Sequence, residues 1–262
     1  MPQHLAAWQQ SVDPAGAFSA LTAVPDQQLT VVGANIQIPS LNRVIALAGG
    51  VETTAAQQAR LTAPSRRVLA LQRVTPLQGA AAGASVPADP HHLMDLRASP
   101  LQMVTGEQAN FEINSNPAAA QIQWGLMWLA DGPVAPIAGN IFTVRADGVT
   151  VLVASSWTNG PIVFAENLPR GRYQVVGLRV QSAGLVAARL VFVGGPPGGW
   201  RPGVMGTNTD RHLEHEMFRL GGLGVLGEFE DVEPPTVDYL SVSADVAEVV
   251  YLDLIQVRAG PA

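Results

Sequence analysis

From Gln28 onward the chain alternates short apolar runs with breaks of Gly, Pro, Asn and Asp. Each run is rich in β-branched and aromatic side chains, which fit the pleated surface of a sheet. The runs are LTVVGANIQI, RVIALAGGV, RRVLALQRV, IQWGLMWLA, GNIFTVRA, VTVLVAS, PIVFAE, YQVVGLRV, LVAARLVFV and VVYLDLIQV. Short strands at this density predict an all-β fold, with a sandwich, a jelly roll or a barrel as the possible architectures.

Helical periodicity is scarce. Residues 52–60 and 210–220 are the segments that carry it, and the second places Leu213, Met217 and Leu220 at helical spacing after an Asp N-cap. Long loops rich in glycine and proline are predicted at 75–90, 193–208 and 221–235. Loops of this length in a compact domain typically serve a function or lie under another subunit.

Two further local predictions concern the N-terminus and one turn. Residues 1–25 are expected to form an N-terminal arm, in which HLAAWQQ makes a short helical turn that Asp13-Pro14 stops. Ala146-Asp147-Gly148 predicts a hairpin turn between IFTVR and VTVLVA.

The chain also contains an internal repeat. IPSLNRVIALAG and LPRGRYQVVG share an aliphatic residue, a proline, a polar turn and a β-rich run, and their prolines, Pro39 and Pro169, are 130 residues apart. Arg60-Leu61 matches Arg189-Leu190 at a spacing of 129, and Trp124 matches Tyr251 at a spacing of 127. Three matches in one order, at spacings of 127, 129 and 130 residues, predict a duplicated β-sandwich.

The repeat sets the predicted domain boundaries. The first domain spans 26–130, and the second spans 138–258, followed by a tail at 259–262. The Gly-Pro and Ala-Pro pairs of DGPVAPI mark a linker at 131–137 between them. Two ordinary β-regions without common descent are the alternative.

Composition narrows the class of partner. Hydrophobic residues make up 47% of the chain and charged residues 14%, so the surface is easy to desolvate against other subunits. All 15 basic residues are arginines and the net charge is −6, which argues against direct nucleic-acid binding. The chain has no cysteine, no apolar run long enough to span a membrane and no start typical of a signal peptide.

The sequence offers few residues for metal chemistry. His212 and His215 could share a helix face with Glu214 or Glu216 as a further ligand, although a solvated polar face is the simpler interpretation. His91-His92 is interpreted as a loop pair that points opposite ways. The acidic residues Glu228, Glu230, Asp231 and Glu233 are interpreted as a solvated loop, with a calcium site as the alternative.

Catalytic motifs are missing from the sequence. We find no G-x-S-x-G nucleophile elbow and no P-loop, which would require a lysine. Trp124 and Trp128 share one face of a predicted strand, where they fit a core or a subunit interface better than an exposed sugar platform.

A β-rich chain in two similar halves resembles the double jelly-roll major capsid proteins of tailless icosahedral viruses, several of which enclose a membrane. The points of contact are the duplication, the arm, the long loops and GRYQVVGLRVQSAGLVAARLVFVGG…WRPGV at 171–204. The resemblance implies a structural protein without catalytic residues or cofactor. Three copies would form a pseudo-hexameric capsomer, and capsomers would tile the shell of a virion assembled in the host cytoplasm.

The resemblance also implies the partners. These are two further copies of the chain, neighbouring capsomers, penton and minor capsid proteins, and an internal membrane reached through the N-terminal arm. The candidate interface residues are Trp200, Arg201, Arg170 and Arg172.

Two other function classes stay open at this point. One is a two-domain β-sandwich module that binds carbohydrate or a receptor, which exposed aromatic residues would favour. The other is a two-domain cupin-type metalloenzyme, whose metal strand needs His-x-His and a following Glu. His212 and His215 lie one residue too far apart for that pattern.

Overall fold

The structure of the chain is a computed structural model. The structure describes residues 2–51, 56–66, 72–74, 78–79, 93–115, 120–193, 199–206, 215–244, 246 and 248–260. It divides into two compact units. The N-terminal unit comprises Leu5–Asp131 with Ser155–Trp157, and the C-terminal unit comprises Met1–His4, Gly132–Ala154 and Thr158–Ala262. The main division, after Asp131, lies at the start of the predicted linker.

The first half of the chain carries strands β1 to β12. They are β1 Gln3–Val12, β2 Phe18–Ala20, β3 Val31–Val32, β4 Asn35–Gln37, β5 Arg43–Val51, β6 Ala56–Thr62, β7 Gln72–Val74, β8 Gln78–Gly79, β9 Leu93–Asp95, β10 Leu101–Gln102, β11 Gln108–Ser115 and β12 Gln121–Ala130. One sheet has the order β1-β12-β5-β10, with β8 and β9 also paired to β5. The other has the order β3-β4-β11-β6-β7, with β2 also paired to β11.

The second half carries strands β13 to β21. They are β13 Phe142–Gly148, β14 Trp157–Gly160, β15 Ile162–Phe164, β16 Gly171–Gln181, β17 Leu185–Val191, β18 Gly203–Met205, β19 Gly227–Glu230, β20 Thr236–Ser241 and β21 Glu248–Ala259. One sheet has the order β15-β13-β21-β16-β19, and the other has the order β14-β20-β17-β18. The all-β prediction is confirmed, and helix within the described ranges is limited to two 3-10 turns, Pro64–Arg66 and Glu216–Phe218.

The two halves share one strand order. Eight strands in each half correspond, and they are numbered one to eight along the chain. In the first half they are β1, β2, β5, β6, β7, β10, β11 and β12. In the second half they are β13, β14, β16, β17, β18, β19, β20 and β21. In both halves one sheet has the order 1-8-3-6 and the other the order 2-7-4-5. Strand one therefore pairs with eight, two with seven, three with six, and four with five, as in one long antiparallel ribbon that is then rolled up.

The repeated sequence positions fall on corresponding strands. Pro39 and Pro169 each precede the third strand of their half, β5 and β16. Arg60 and Arg189 lie on the fourth strands, β6 and β17, whereas Trp124 and Tyr251 lie on the eighth, β12 and β21. The three pairs of matched residues thus lie on corresponding strands, in the same order along the two halves.

Each half buries its apolar side chains between its two sheets. In the N-terminal unit Trp8 of β1 stacks on Phe111 of β11, with ring centroids 5.9 Å apart. Phe111 also occupies the space beside Gly125 of β12, where an added Cβ would lie 2.2 Å from its ring. In the C-terminal unit Tyr173 of β16 and Phe229 of β19 stack at 5.6 Å. Alternation of apolar and polar residues along the strands places these rings on the inner faces.

Several local predictions were wrong. The residues expected to form an arm with a helical turn contain β1 instead, at the edge of a sheet. This strand is buried over most of its length, because His4, Ala6 and Trp8 on one face and Leu5 and Ala7 on the other are all buried. The predicted contact of this segment with a membrane stays a prediction. Burial by sheet partners overrode the helix propensity of alanine.

The predicted helices and one predicted hairpin also differ from the structure. Residues 56–60 of the first predicted helix belong to β6, and in the second only Glu216–Phe218 of the described residues is helical, as a 3-10 turn. Residues 210–214 lie outside the described ranges. Ala146-Asp147-Gly148 is not a turn but the end of β13, paired with β15 and β21. No helix in the described part of the chain is long and apolar enough to cross a bilayer.

Candidate functional site

A buried ion-pair cluster lies in the C-terminal unit on the sheet formed by β14, β20, β17 and β18. Asp238 of β20 faces Arg189 of β17 in register, and Arg189 Nε donates to Asp238 Oδ2 at 2.9 Å. Arg201, just before β18, donates from NH1 to the same oxygen at 2.6 Å. The side chains of Arg189 and Asp238 are 1% and 3% exposed. Burial of this kind makes the pairing obligatory, because an unpaired charge at this depth is costly.

Polar and aromatic groups complete the cluster. Asn159 Nδ2 donates to Asp238 Oδ1 at 2.8 Å, so both carboxylate oxygens accept hydrogen bonds. The Arg201 backbone N–H donates to His4 Nδ1 at 3.2 Å, and the His4 ring meets Trp200 edge-on with centroids 5.6 Å apart. His4 Nε2 lies 3.5 Å from Arg189 NH1.

This arrangement suits a structural clamp. A carboxylate that accepts from two guanidinium groups and an amide has three of its roughly four acceptor sites occupied, and the two arginines neutralise its charge. What the cluster does achieve is to hold Arg201 against Asp238 of β20 and the neighbouring Trp200 against His4.

A second buried carboxylate organises the opposite sheet of the same unit. Asp253 of β21 is fully buried and accepts from Arg179 NH2 at 2.8 Å, from Thr143 Oγ1 at 2.6 Å and from the Leu220 N–H at 2.9 Å. Gly177 makes room for it, because a Cβ there would lie 2.3 Å from Asp253 Oδ2. Burial lowers the pKa of the Arg179 guanidinium, against the opposing effect of the Asp253 charge.

The N-terminal unit has a counterpart of the Arg189 pair that is closer to solvent. Arg60 of β6 faces Glu112 of β11 in register, and Arg60 Nε donates to Glu112 Oε2 at 2.6 Å. Arg60 also lies over the Phe18 ring, 3.8 Å from its centroid. The two side chains of the pair are 23% and 22% exposed.

This pair lines a pocket of about 510 Å³ on the outer face of its sheet. The wall mixes polar side chains with small apolar residues; it is formed by Ala20, Ala34, Asn35, Arg60, Thr62, Ala63, Pro64, Gln108, Asn110 and Glu112. Asn35 Nδ2 donates to Gln108 Oε1 at 3.1 Å, and Asn110 Nδ2 donates to the carbonyls of Leu21 and Ala34. Because Glu112 neutralises Arg60, the pocket suits a neutral polar ligand.

The four predicted interface residues lie in two environments. Arg170 and Arg172 are exposed at the entry to β16, and Arg172 NH2 pairs with Glu228 Oε2 at 2.6 Å. Trp200 and Arg201 belong to the ion-pair cluster, where the Arg201 side chain is 15% exposed. A role in contacts between subunits stays a prediction for all four.

The acidic segment is a strand rather than a loop over part of its length. Glu228 and Glu230 lie on β19, opposite Gln174 and Arg172 of β16. Gln174 Nε2 donates to Glu228 Oε1 at 2.7 Å, and Arg258 NH2 donates to Glu230 Oε1 at 2.9 Å. Asp231 Oδ1 accepts from the Gly171 N–H. These carboxylates are held by donors of the protein itself instead of converging on one point.

The histidine predictions lie largely outside the described residues. His91, His92, His212 and Glu214 are not described, whereas His215 caps the second 3-10 turn by accepting from the Met217 N–H at 3.1 Å. Among the residues that the structure does describe, no group of three or more His, Asp or Glu side chains lies close enough together to hold a metal ion.

Trp124 and Trp128 are core residues, as their spacing predicts. Each is 1% exposed on β12. Neither can serve as an exposed platform for a sugar ring.

Sequence reasoning missed the pairing of Arg189 with Asp238. In the sequence, Arg189 is marked only by its match to Arg60 in the repeat, and no pattern marks Asp238. A charged residue inside the apolar run LVAARLVFV was the available clue, because such a residue on a buried strand needs a partner.

No family model matches the chain, and no curated protein matches it. Among solved structures, a xanthan lyase from Paenibacillus aligns with a TM-score of 0.24 at 9% identity, over 95% of this chain and 23% of its own. A likeness this weak carries no argument about fold or function.

Proposed function

We propose that the chain is a structural shell protein, the major capsid protein of an icosahedral virion, built as a double jelly roll. The observation that carries the proposal is the strand order shared by the two halves. Orders of 1-8-3-6 and 2-7-4-5 are those of a ribbon of eight strands rolled into two facing sheets, which is the jelly-roll arrangement of many capsid domains.

A tandem pair of such units has a direct use in a shell. Three chains with two similar units each supply six similar lobes, so a trimer forms a pseudo-hexagonal tile. Closed shells need tiles that contact one another on all sides. The low charged fraction, 14%, reduces the desolvation cost of these contacts.

The exposed arginines fit this role. Arg170 and Arg172 lie at the entry to β16 and present guanidinium groups, which are weakly hydrated and pair readily across interfaces. We assign them to contacts between subunits. The proposal assigns no catalytic residue and no cofactor.

The test is the assembly state of the purified protein. Light scattering is expected to give the mass of a trimer, and electron microscopy is expected to show six-lobed tiles or closed particles at high concentration. A protein that stays monomeric at high concentration would overturn the proposal.

A second candidate function rests on the pocket beside Arg60 and Glu112. Its paired charges, amides and small apolar residues suit a neutral saccharide, whose hydroxyls bond amide groups and whose C–H faces contact alanine and proline. Titration with a panel of neutral oligosaccharides tests it. Asn35→Ala should abolish any binding found, whereas Asn42→Ala, outside the pocket, should not.

A further inference from the structure

The two units carry the same charged pair, but only one unit completes it with a third group. Arg189 faces Asp238 and Arg60 faces Glu112, each pair in register on the fourth and seventh strands of its half. In the C-terminal unit Arg201 NH1 donates to Asp238 Oδ2, the same oxygen that accepts from Arg189. The chain itself supplies the second guanidinium there.

The carboxylate of the N-terminal unit has an oxygen to spare. Glu112 Oε2 accepts from Arg60, whereas Glu112 Oε1 accepts from no residue in the described part of the chain. Glu112 lines the pocket of about 510 Å³, a volume within the range of ligand sites. Its neighbour on the second strand is Ala20, whose small side chain leaves room beside the carboxylate.

The C-terminal unit shows which group such a pair can bind. The pair of Arg189 with Asp238 is neutral, and it still binds the guanidinium of Arg201. A carboxylate offers about four acceptor positions, so one arginine does not occupy them all. A guanidinium suits the remaining positions, because it is planar, carries several N–H donors and is weakly hydrated. The neutral pair of the N-terminal unit can therefore accept an arginine side chain as well.

One exposed arginine lacks a carboxylate. Among the arginines that are exposed in the described ranges, Arg145, Arg172 and Arg258 each pair with an acidic residue of their own chain. Arg170 is exposed too, and its guanidinium bonds no residue that the structure describes. Its carbonyl accepts from the Gly260 N–H at 2.8 Å, so the backbone is held while the side chain extends from the surface.

We propose that Arg170 of one copy of this chain inserts into the pocket of a second copy and donates to Glu112 Oε1. It takes there the place that Arg201 takes at Asp238. The donor lies on the C-terminal unit and the acceptor on the N-terminal unit, so the contact is heterologous. Each copy gives an arginine to the next copy and receives one from the copy before it.

Heterologous contacts close into rings, and a ring of three copies is a trimer. The inference thus rests on the proposed shell function and deepens it, because it names two residues that join the subunits of one trimer.

Removal of the donor is the first test. Arg170→Ala is expected to raise the protein concentration at which half of the chains are trimeric by about tenfold or more, because the inserted charge pair is lost. Light scattering over a dilution series measures this concentration. Arg170→Lys should restore little of the loss, since an ammonium lacks the planar fork. Arg145→Ala is the matched control, because Arg145 is exposed but pairs with Asp147 of its own chain, and it should leave the trimer unchanged.

Removal of the acceptor is the second test. Glu112→Gln is expected to weaken the trimer as Arg170→Ala does, and the double variant should be no weaker than either single one. Ala20→Phe fills the pocket from an exposed position of its wall and leaves the pair of Arg60 with Glu112 in place. It should weaken the trimer to the same extent. Losses that add in the double variants would overturn the contact.

The outcomes separate this inference from the proposed function. Trimers of Arg170→Ala as stable as those of Arg145→Ala would overturn the contact and leave the shell. An assembly that depends on Arg170 and Glu112 but stops at a dimer would support the contact and overturn the shell. A neutral oligosaccharide that binds the intact trimer, and fails to bind Ala20→Phe, would show an open pocket in the assembly and would overturn the contact.

Discussion

Arg189 and Asp238 face each other across β17 and β20, with 2.9 Å between Nε and Oδ2, and Arg60 and Glu112 face each other at the corresponding strands of the other unit. The geometry is shared, but the environment differs. The first pair is buried and also neutralises Arg201, whereas the second is about one-fifth exposed.

Loss of Asp238 is therefore expected to cost far more stability than loss of Arg60. Asp238→Asn leaves two buried guanidinium groups without a carboxylate and should lower the free energy of unfolding by about 3 to 5 kcal/mol. Arg60→Met should cost about 1 kcal/mol or less, because this pair is partly open to solvent, which screens it. Urea denaturation of both variants checks the difference, and equal losses would contradict it.

The two buried tyrosines should respond in opposite ways to removal of their hydroxyl groups. Tyr173 OH donates to the Pro169 carbonyl at 2.5 Å, so Tyr173→Phe should lower the free energy of unfolding by about 1 kcal/mol. Tyr239 OH is buried, and no described residue bonds it; burial, and then the charge of Glu248, raise the pKa of Tyr239.

Tyr239→Phe should accordingly leave stability unchanged or raise it by up to about 1 kcal/mol, because an unsatisfied hydroxyl no longer has to be desolvated. Thermal unfolding of the two variants side by side is the measurement. A clear loss of stability in Tyr239→Phe would show that its hydroxyl is bonded.

Gly125 is expected to be intolerant of a methyl group. A Cβ at this position would lie 2.2 Å from the Phe111 ring, so Gly125→Ala should lower the free energy of unfolding by about 1 to 3 kcal/mol through overpacking. Phe111→Leu frees space at the same point. In a double-mutant cycle, the Gly125→Ala/Phe111→Leu variant should lose less than the sum of the single losses, and additive losses would contradict the contact.

Glu107 should make the N-terminal unit sensitive to acid. Partial burial raises the pKa of Glu107, but bonds from the Val104 and Ser65 N–H groups and from Ser65 Oγ outweigh it and hold the pKa below the ordinary value of 4.5. A carboxyl whose folded pKa is lowered stabilises the fold above its unfolded pKa, and this contribution is lost as pH falls through the folded pKa.

Glu107→Gln should therefore be less stable than the parent protein at pH 7, by about 1 to 2 kcal/mol. The difference should shrink as the pH falls below 4.5. Urea denaturation of both proteins between pH 7 and pH 3 measures it, and a difference independent of pH would contradict the role of the charge.

The sequence by itself determined the fold class and the repeat. Runs such as YQVVGLRV indicate strands because successive side chains of a strand point to opposite faces of the sheet. The spacing of Arg60 to Arg189 located corresponding strands of the two halves. Trp124 and Trp128 could be assigned to the core for the same reason.

The tertiary structure decided which strands pair and which charged side chains meet. HLAAWQQ has good helix propensity and became β1, because β12 pairs with its backbone and packing buries side chains on both of its faces. Arg189 and Asp238 are 49 residues apart, so no local pattern reveals their pairing. VTVLV reads as a strand from its alternation alone, and only the folded chain shows that it joins neither sheet of its unit.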